Sequence, residues 1–414
     1  MIAMKILLLN DRIPPEGKGG AEAVVWRLAV GLRAAGHQVH IAAATEHESF
    51  DKLRDGIETH HLRARYPERF RSWLSLYNPQ TARAFQRLLG CLQPDVVNAH
   101  NVHTWMSWHS LRQARDFGCR VVFSGHDCMP VVYGKMSFFV KPDGGQALSP
   151  TAYRLPRLHN LRENRLRYNP FRNPLIRRAL GHAQAVSVPS QALADVYAVN
   201  GLPPAQVVPN GIDLKAWTPV QPELLSRLRG RFGLEGKRVI LFAGRLTRGK
   251  GVEQLLAALD RLRDSQPNAR LLALSSRSIE SQVPARFRHL LSMICSAGWL
   301  EGKELRAAFQ LADVVAVPSI YLDTFPTVNL EAMALGRPVI ATCFGGSREL
   351  VQNGETGYII NPFDSETFAQ RLQILLADGE LRARMGRRGR ERVAAHYRLE
   401  QQVAAMIELY KDAL

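Results

Sequence analysis

No stretch of this chain is apolar over the roughly 18 or more residues that a membrane-crossing helix needs, so no transmembrane span is expected among its 414 residues. Its first apolar run, Ile6 to Leu9, is short and leads into Asn10-Asp11 with no small-residue cleavage pattern; it reads as a strand and not as a secretion signal. Cysteine is scarce. The five present (Cys91, Cys119, Cys128, Cys295 and Cys343) include no Cys-x-x-Cys, which argues against a disulfide framework or a zinc ribbon and fits a reducing cytoplasm. Acid is the charge in short supply, 37 Asp and Glu against 54 Lys and Arg, giving +17 and a pI near 10.1. Anionic partners follow from that balance. Nucleic acid is not the expected one, because no basic helix-turn-helix, zinc finger or RNA-binding signature occurs.

Other patterns are missing too. There is no Asp-x-Asp pair for a catalytic divalent cation and no Gly-x-Ser-x-Gly elbow. Gly17 and Gly19 match the first two positions of the dinucleotide fingerprint, but Glu22 occupies the third, so NAD is not expected. His100, His103, His126 and Asp127 do not make a metal site: His-x-x-His is not a helical i,i+4 pair and no further ligand stands at a defined spacing. Internal repeats and low-complexity segments are absent.

What is present is alternation. Short apolar runs at Lys5-Asn10, Gln38-Ala44, Asp95-Ala99, Val121-Ser124 and Val186-Pro189 alternate with helical patterns such as Ala21 to Ala35, which ends at Gly36. The same rhythm returns at Arg238-Gly244, Arg270-Ser275, Asp313-Val317, Arg337-Thr342 and Thr356-Ile360. Alternation of this kind predicts an α/β chain with parallel sheets covered on both faces.

The stretch from Pro318 to Leu350 concentrates the chemical signals. A buried strand leads into a loop ending at Pro326, a residue suited to the first position of a helix. The helix runs from Thr327 to about Leu335 and stops at Gly336, and Gly345-Gly346 opens another. Helix N-termini at the carboxyl edge of a parallel sheet favour an anion such as phosphate. Asp323 and Glu331 flank this point, eight positions apart. Carboxylates are poor phosphate ligands but accept hydrogen bonds from sugar hydroxyls, and a diphosphate flanked by hydroxyl acceptors describes a nucleotide sugar. In a loop after an earlier strand, Arg245 can clamp phosphate oxygens bidentately and Lys250 can supply a point charge.

The acid-x7-acid spacing of Asp323 and Glu331, with Pro318-Ser319, Ala332-Met333-Ala334 and Gly345-Gly346 around it, resembles the signature of the retaining two-domain (GT-B type) nucleotide-sugar glycosyltransferases of glycosyltransferase family 4, group 1. The resemblance covers most of the chain and is strongest from Arg238 to Pro362. Gly-Arg-Leu-x3-Lys-Gly around Arg245 and Lys250 is similar to the family's diphosphate-binding pair, and Val208 to Asp213 to its entry into the second domain. Two departures stand out. Asp323 replaces the family's usual Glu, and Ser275-Ser276-Arg277 stands where the family often has glycines.

The resemblance implies two Rossmann-like domains facing each other across a cleft: an acceptor domain over residues 1–205, a donor domain over 206–395, and a terminal helix over 396–414 that returns to the first. It implies retaining transfer of a hexose-type sugar from a nucleotide-diphosphate sugar, such as a UDP- or GDP-sugar, to a hydroxyl acceptor, with no metal and no further cofactor. His126, Asp323, Arg245 and Lys250 would be catalytic: Asp323 holds the sugar hydroxyls, and His126 lies near the transferred sugar. The donor would be bound by Gly19, Gly20, Asn210, Arg245, Lys250, Asp323, Pro326, Thr327, Val328 and Glu331, the last on the ribose. With no covalent nucleophile evident, same-face attack assisted by the leaving phosphate is the expected mechanism. A nucleotide-sugar epimerase, a glycosyl phosphorylase and an inactive nucleotide-sugar-binding partner are the alternatives.

Two stretches are both basic and aromatic. His61 to Arg87 includes Tyr66, Phe70, Trp73 and Tyr77, and Lys135 to Leu180 carries eight Arg and one acid, Glu163, between Thr151 and Leu180. They suggest an anionic membrane surface as a partner. A lipid-linked saccharide acceptor, cell-surface polysaccharide or glycolipid assembly, and a cytoplasmic protein peripheral to the inner face of the cell membrane would follow.

Overall fold

The computed structural model describes residues 3–17, 19–142, 149–275, 278–279 and 282–412. Its strands form two sheets. The first joins β1 (Lys5–Asn10), β2 (Gln38–Thr45), β3 (Phe50–Arg54), β4 (Ile57–Arg63), β5 (Val96–Ala99), β6 (Arg120–Ser124), β7 (Ala185–Val188) and β8 (Gln206–Val207) in the order β3-β4-β2-β1-β5-β6-β7-β8. All neighbours are parallel except β3, which pairs antiparallel with β4 at the edge. The second sheet joins β9 (Arg238–Ala243), β10 (Ala269–Leu274), β11 (Ile294–Gly298), β12 (Val314–Val317), β13 (Val339–Thr342) and β14 (Gly357–Ile360) in the order β11-β10-β9-β12-β13-β14, all parallel.

Continuous apolar runs make these strands because both faces are covered. In β9, Val239 and Leu241 enter one core and Ile240 and Phe242 the other; in β12, Val315 and Val317 face the first and Val314 and Ala316 the second. Strand order reverses at β1 in the first sheet and at β9 in the second. In open sheets of this type, ligands bind beyond the carboxyl ends of strands at that reversal.

The chain divides into two compact units, Met1–Met136 with Ser149–Gly211 and Leu399–Leu414, and Ser137–Leu148 with Ile212–Arg398. The first unit therefore runs past residue 205. β8 adds to the first sheet, and the Val208 amide donates to the Val188 carbonyl at 2.8 Å. The terminal helix Leu399–Asp412 belongs to the first unit and lies on the helix Gly20–Ala34. The fit is close, since a Cβ on Gly31 would stand 2.5 Å from Val403. At its far end the Tyr410 hydroxyl donates to Asn98 Oδ1 at 2.9 Å.

Three sequence expectations shift. The hairpin β3–β4 and the strand β11 were not legible as strands. His61, the start of the first basic-aromatic stretch, lies inside β4 and is buried. In the early part of the second stretch Met136 and Phe139 are buried, Phe139 with its ring 6.2 Å from Phe344, while Lys135, Ser137 and Lys141 are exposed. Ser275 follows β10 with its amide bonded to the Gly298 carbonyl at 3.1 Å. Ser276 and Arg277, like Lys18 of the glycine-rich loop, lie outside the described residues.

Candidate functional site

In the second unit, two loops at the carboxyl edge are stitched together at the strand-order reversal. The loop after β9 turns through Arg248–Lys250 into the helix Val252–Leu262, and Gly251 between them has φ +72°. A Cβ on Gly251 would lie 1.8 Å from the Pro318 carbonyl oxygen, so only glycine lets this loop close on the end of β12. The Ile320 amide then donates to the Gly249 carbonyl at 2.8 Å. A second close approach fixes the neighbouring loop. Gly345, at φ +89°, would place a Cβ 2.3 Å from the Asp323 carbonyl oxygen, and the Gly346 amide donates to that oxygen at 2.9 Å.

These contacts bring Lys250 to Asp323. The ammonium lies 2.7 Å from Asp323 Oδ2, which also accepts from the Ser319 hydroxyl at 2.7 Å and the Tyr321 hydroxyl at 3.1 Å. Lys250 Nζ also stands 5.2 Å from the centre of the Tyr321 ring. Burial alone would lower the Lys250 pKa. The Asp323 carboxylate and Tyr321 outweigh it and hold the ammonium above the ordinary lysine value. The pair is therefore ionised at neutral pH, with the Asp323 side chain 9% exposed and that of Lys250 27% exposed. Arg245, earlier in the same loop, is exposed, and its guanidinium has no ion pair or hydrogen bond among the described residues.

Pro326 stands one residue before the helix Thr327–Ala334, at φ −63°, and Thr327 takes the first helical position. The amides of Thr327 and Val328 head the helix, where backbone donors have no intrahelical acceptor. Glu331 lies on the same helix and is buried.

His126 and His100 follow β6 and β5 at the carboxyl edge of the first sheet. His100 Nδ1 lies 2.9 Å from His126 Nε2, with the rings stacked at 5.1 Å. Burial drives both below the ordinary histidine value, His126 to about 4 against the opposing pull of Asp127, and His100 well down. At neutral pH they are a neutral imidazole pair, able to exchange hydrogen bonds with hydroxyls but carrying no charge. His103 Nε2 lies 3.7 Å from Asp127 Oδ2.

Other expected residues fall elsewhere. Gly19 caps the helix Gly20–Ala34 in an extended conformation, φ −139°, which does not require glycine. Asn210 is buried near the end of the first unit and does not belong to the second. Ser319 and Tyr321 were missed as partners of Asp323. Both stand within four residues of it, but which way a strand-end side chain turns depends on the Gly345 approach, which lies far along the sequence.

The model of the family described as "Glycosyl transferases group 1" matches residues 227–392, and that described as "Glycosyltransferase Family 4" matches residues 18–216. The chain belongs to the group 1, family 4 glycosyltransferases. Among curated proteins, the chain is 36% identical over 189 residues to the D-inositol 3-phosphate glycosyltransferase of Corynebacterium efficiens, a match covering 44% of each chain. The chain spans about half the length of the first curated relatives it matches, 58% and 44%. Sucrose-phosphate synthase from Thermosynechococcus elongatus shares the fold at TM-score 0.75 and 23% identity, over 98% of both chains. HepE of Anabaena, solved in complex with UDP-glucose, does so at TM-score 0.68 and 20% identity, over 98% of this chain and 100% of that one.

Proposed function

We propose that this glycosyltransferase moves a hexose-type sugar from a nucleoside diphosphate sugar to a hydroxyl acceptor, with retention at the anomeric carbon and without a metal ion. The observation that carries the reading is the Lys250–Asp323 pair, at 2.7 Å on the carboxyl edge of the second sheet. An ammonium has three donors. The one given to Asp323 orients the group, Tyr321 is a second partner, and a further donor can turn to the diphosphate oxygens. Arg245, exposed in the same loop, adds a second cation, and the leading amides of Thr327–Ala334 add dipole. Glu331 holds the ribose on this reading, and Asp323 divides its carboxylate between Lys250 and a sugar hydroxyl.

In the transfer step the acceptor hydroxyl oxygen bonds to the anomeric carbon as the bond from that carbon to the phosphate oxygen breaks. The hydroxyl proton passes to the departing phosphate on the same face. Arg245 and Lys250 neutralise the charge that develops there. A neutral His126 serves as a hydrogen-bond partner for a sugar hydroxyl. A UDP-sugar is the first donor to try, because the fold neighbour HepE is solved with UDP-glucose.

The acceptor side of the proposal is a lipid-linked saccharide at an anionic membrane, in cell-surface polysaccharide or glycolipid assembly. Within the first unit Asn169 Nδ2 donates to the Ser72 carbonyl at 2.9 Å, which joins the two basic-aromatic stretches. Phe70, Trp73, Tyr77, Leu158, Leu166 and Phe171 are exposed there. Arg172 is the exception among the eight arginines: it is buried against the Tyr133 ring at 4.6 Å and its pKa is pushed down to about 10 by burial. No described helix is long and apolar enough to cross a membrane.

Transfer is tested by incubating the full chain with UDP- and GDP-hexoses and lipid extracts, and following the product's anomeric coupling by proton NMR. An α-donor giving an α-linked product supports the reading. An inverted product, or turnover of the donor that EDTA abolishes and Mg²⁺ or Mn²⁺ restores, overturns it. Sedimentation with anionic and neutral vesicles tests the membrane part, and equal binding to both would refute it.

A further inference from the structure

We propose that the edge of the first sheet holds a divalent transition-metal ion, Zn²⁺ in class, bound by His40, His60 and Glu58. The idea is independent of the transfer reaction. Register puts the three side chains on one face: His40 of β2 pairs with Glu58 of β4, and His60 lies two residues further along β4. The donor atoms converge. His40 Nδ1 lies 3.2 Å from His60 Nε2 and 3.3 Å from Glu58 Oε2, and all three ligand atoms lie within 4.8 Å of one another. Around a tetrahedral zinc with bonds of roughly 2.0–2.1 Å, neighbouring ligand atoms stand about 3.3–3.4 Å apart. The 3.2 and 3.3 Å separations are already close to that spacing.

The surroundings orient these ligands. Asp51 of β3 pairs across from His60, and its Oδ1 lies 2.9 Å from His60 Nδ1. A carboxylate there fixes the proton on Nδ1 and leaves the Nε2 lone pair facing His40, the arrangement that supports metal-bound imidazoles. Gln38 Nε2 stands 3.2 Å from His40 Nε2; an ion on Nδ1 puts the proton on Nε2, so the Gln38 amide turns its oxygen to that nitrogen when the ion binds. Lys5, which pairs with Gln38 on the neighbouring strand, does not occupy the spot, because its ammonium donates to the Leu92 carbonyl at 2.8 Å. His40 and His60 are buried, while the Glu58 side chain is 58% exposed, which gives an ion a route in from solvent. Two imidazoles and one carboxylate suit zinc, cobalt or nickel and leave a fourth position for water. The ion would bind β2 to β4 and, through Asp51, hold β3. It would thereby pin the antiparallel hairpin that closes this edge.

The test uses the full chain stripped with EDTA. Titration with Co²⁺ should give one saturable equivalent with the intense visible bands of a four-coordinate centre. Zn²⁺ should displace it and raise the melting temperature. Asp51→Asn should weaken the affinity about tenfold, and Glu58→Gln, at an exposed side chain that leaves the core intact, should weaken it further. His60→Asn should abolish the site. No saturable equivalent, or one that Glu58→Gln and His60→Asn leave unchanged, overturns the proposal and leaves a hydrogen-bonded histidine pair in its place.

Discussion

The two units solve the problem of polar groups at a sheet's carboxyl edge in opposite ways. In the first, His100 is buried and His126 half-buried, and desolvation makes both shed their charge. In the second, Lys250 keeps its charge because a carboxylate, itself held by Ser319 and Tyr321, sits 2.7 Å away. The difference shows what each edge is suited to. A neutral imidazole pair can align hydroxyls without attracting anions. A charged pair in a loop that also carries Arg245, exposed and with no guanidinium partner among the described residues, suits a phosphate. A buried charge persists only with its partner, so the pair is also the more fragile device.

The largest effect should come from removing that partner. Asp323→Asn leaves the Lys250 ammonium without its counter-charge, and breaking such a pair costs about 3 kcal/mol, the lower end of the usual range because Lys250 is part-exposed. Urea denaturation reads this directly, and donor turnover should fall sharply with it. A variant as stable and as active as the parent would make Asp323 an ordinary loop residue.

The histidine pair should respond to acid, and the charged pair should not. His126 titrates near 4 when folded, against an ordinary value near 6.5. Between those values the unfolded chain binds a proton that the folded chain refuses. Stability should therefore fall as pH drops from about 6.5 towards 4, by up to about 1.4 kcal/mol per pH unit per histidine. Lys250 has the opposite sign: its raised pKa stabilises below the unfolded lysine value and loses effect only as pH rises past it, so it adds no slope in acid. Melting temperatures from pH 7 to 4.5 should show a slope that His126→Gln flattens. An unchanged slope would place the acid sensitivity elsewhere.

The smallest effect separates support from charge. Tyr321→Phe removes one hydrogen bond to Asp323 and keeps the ring beside Lys250, so it should cost about 1 kcal/mol or less in stability. A loss as large as that of Asp323→Asn would show that the hydroxyl network, and not the ion pair, holds this edge.

Much of this was legible in the sequence, for physical reasons. The strands β1, β9 and β12 announce themselves because both faces are buried and their apolar runs are continuous. Arg245, Lys250 and Asp323 could be singled out because cations and acids in strand-end loops seldom serve packing. The hairpin β3–β4 was hidden because Phe50–Arg54 is an edge strand, largely exposed and mostly polar. The contact between Lys250 and Asp323 was hidden because 73 residues separate them, and the close approaches of Gly251 and Gly345 that join their loops are tertiary facts. The His40–His60–Glu58 cluster went unseen because its ligands sit on two strands, and local spacing carries no trace of their register.

The central claim is that Arg245 and Lys250 bind a diphosphate, and calorimetry on matched nucleotides tests it most directly. UDP, GDP and ADP are each titrated against the corresponding monophosphate, with the parent chain, Arg245→Ala and Lys250→Met. One diphosphate should bind the parent more tightly than its monophosphate. Each substitution should reduce that preference by about tenfold to a hundredfold, as loss of a charge-assisted contact worth roughly 1.5–3 kcal/mol requires. Arg245→Ala should leave the fold's stability unchanged, because its guanidinium touches no partner among the described residues. A preference for diphosphate that survives both substitutions intact would contradict the account.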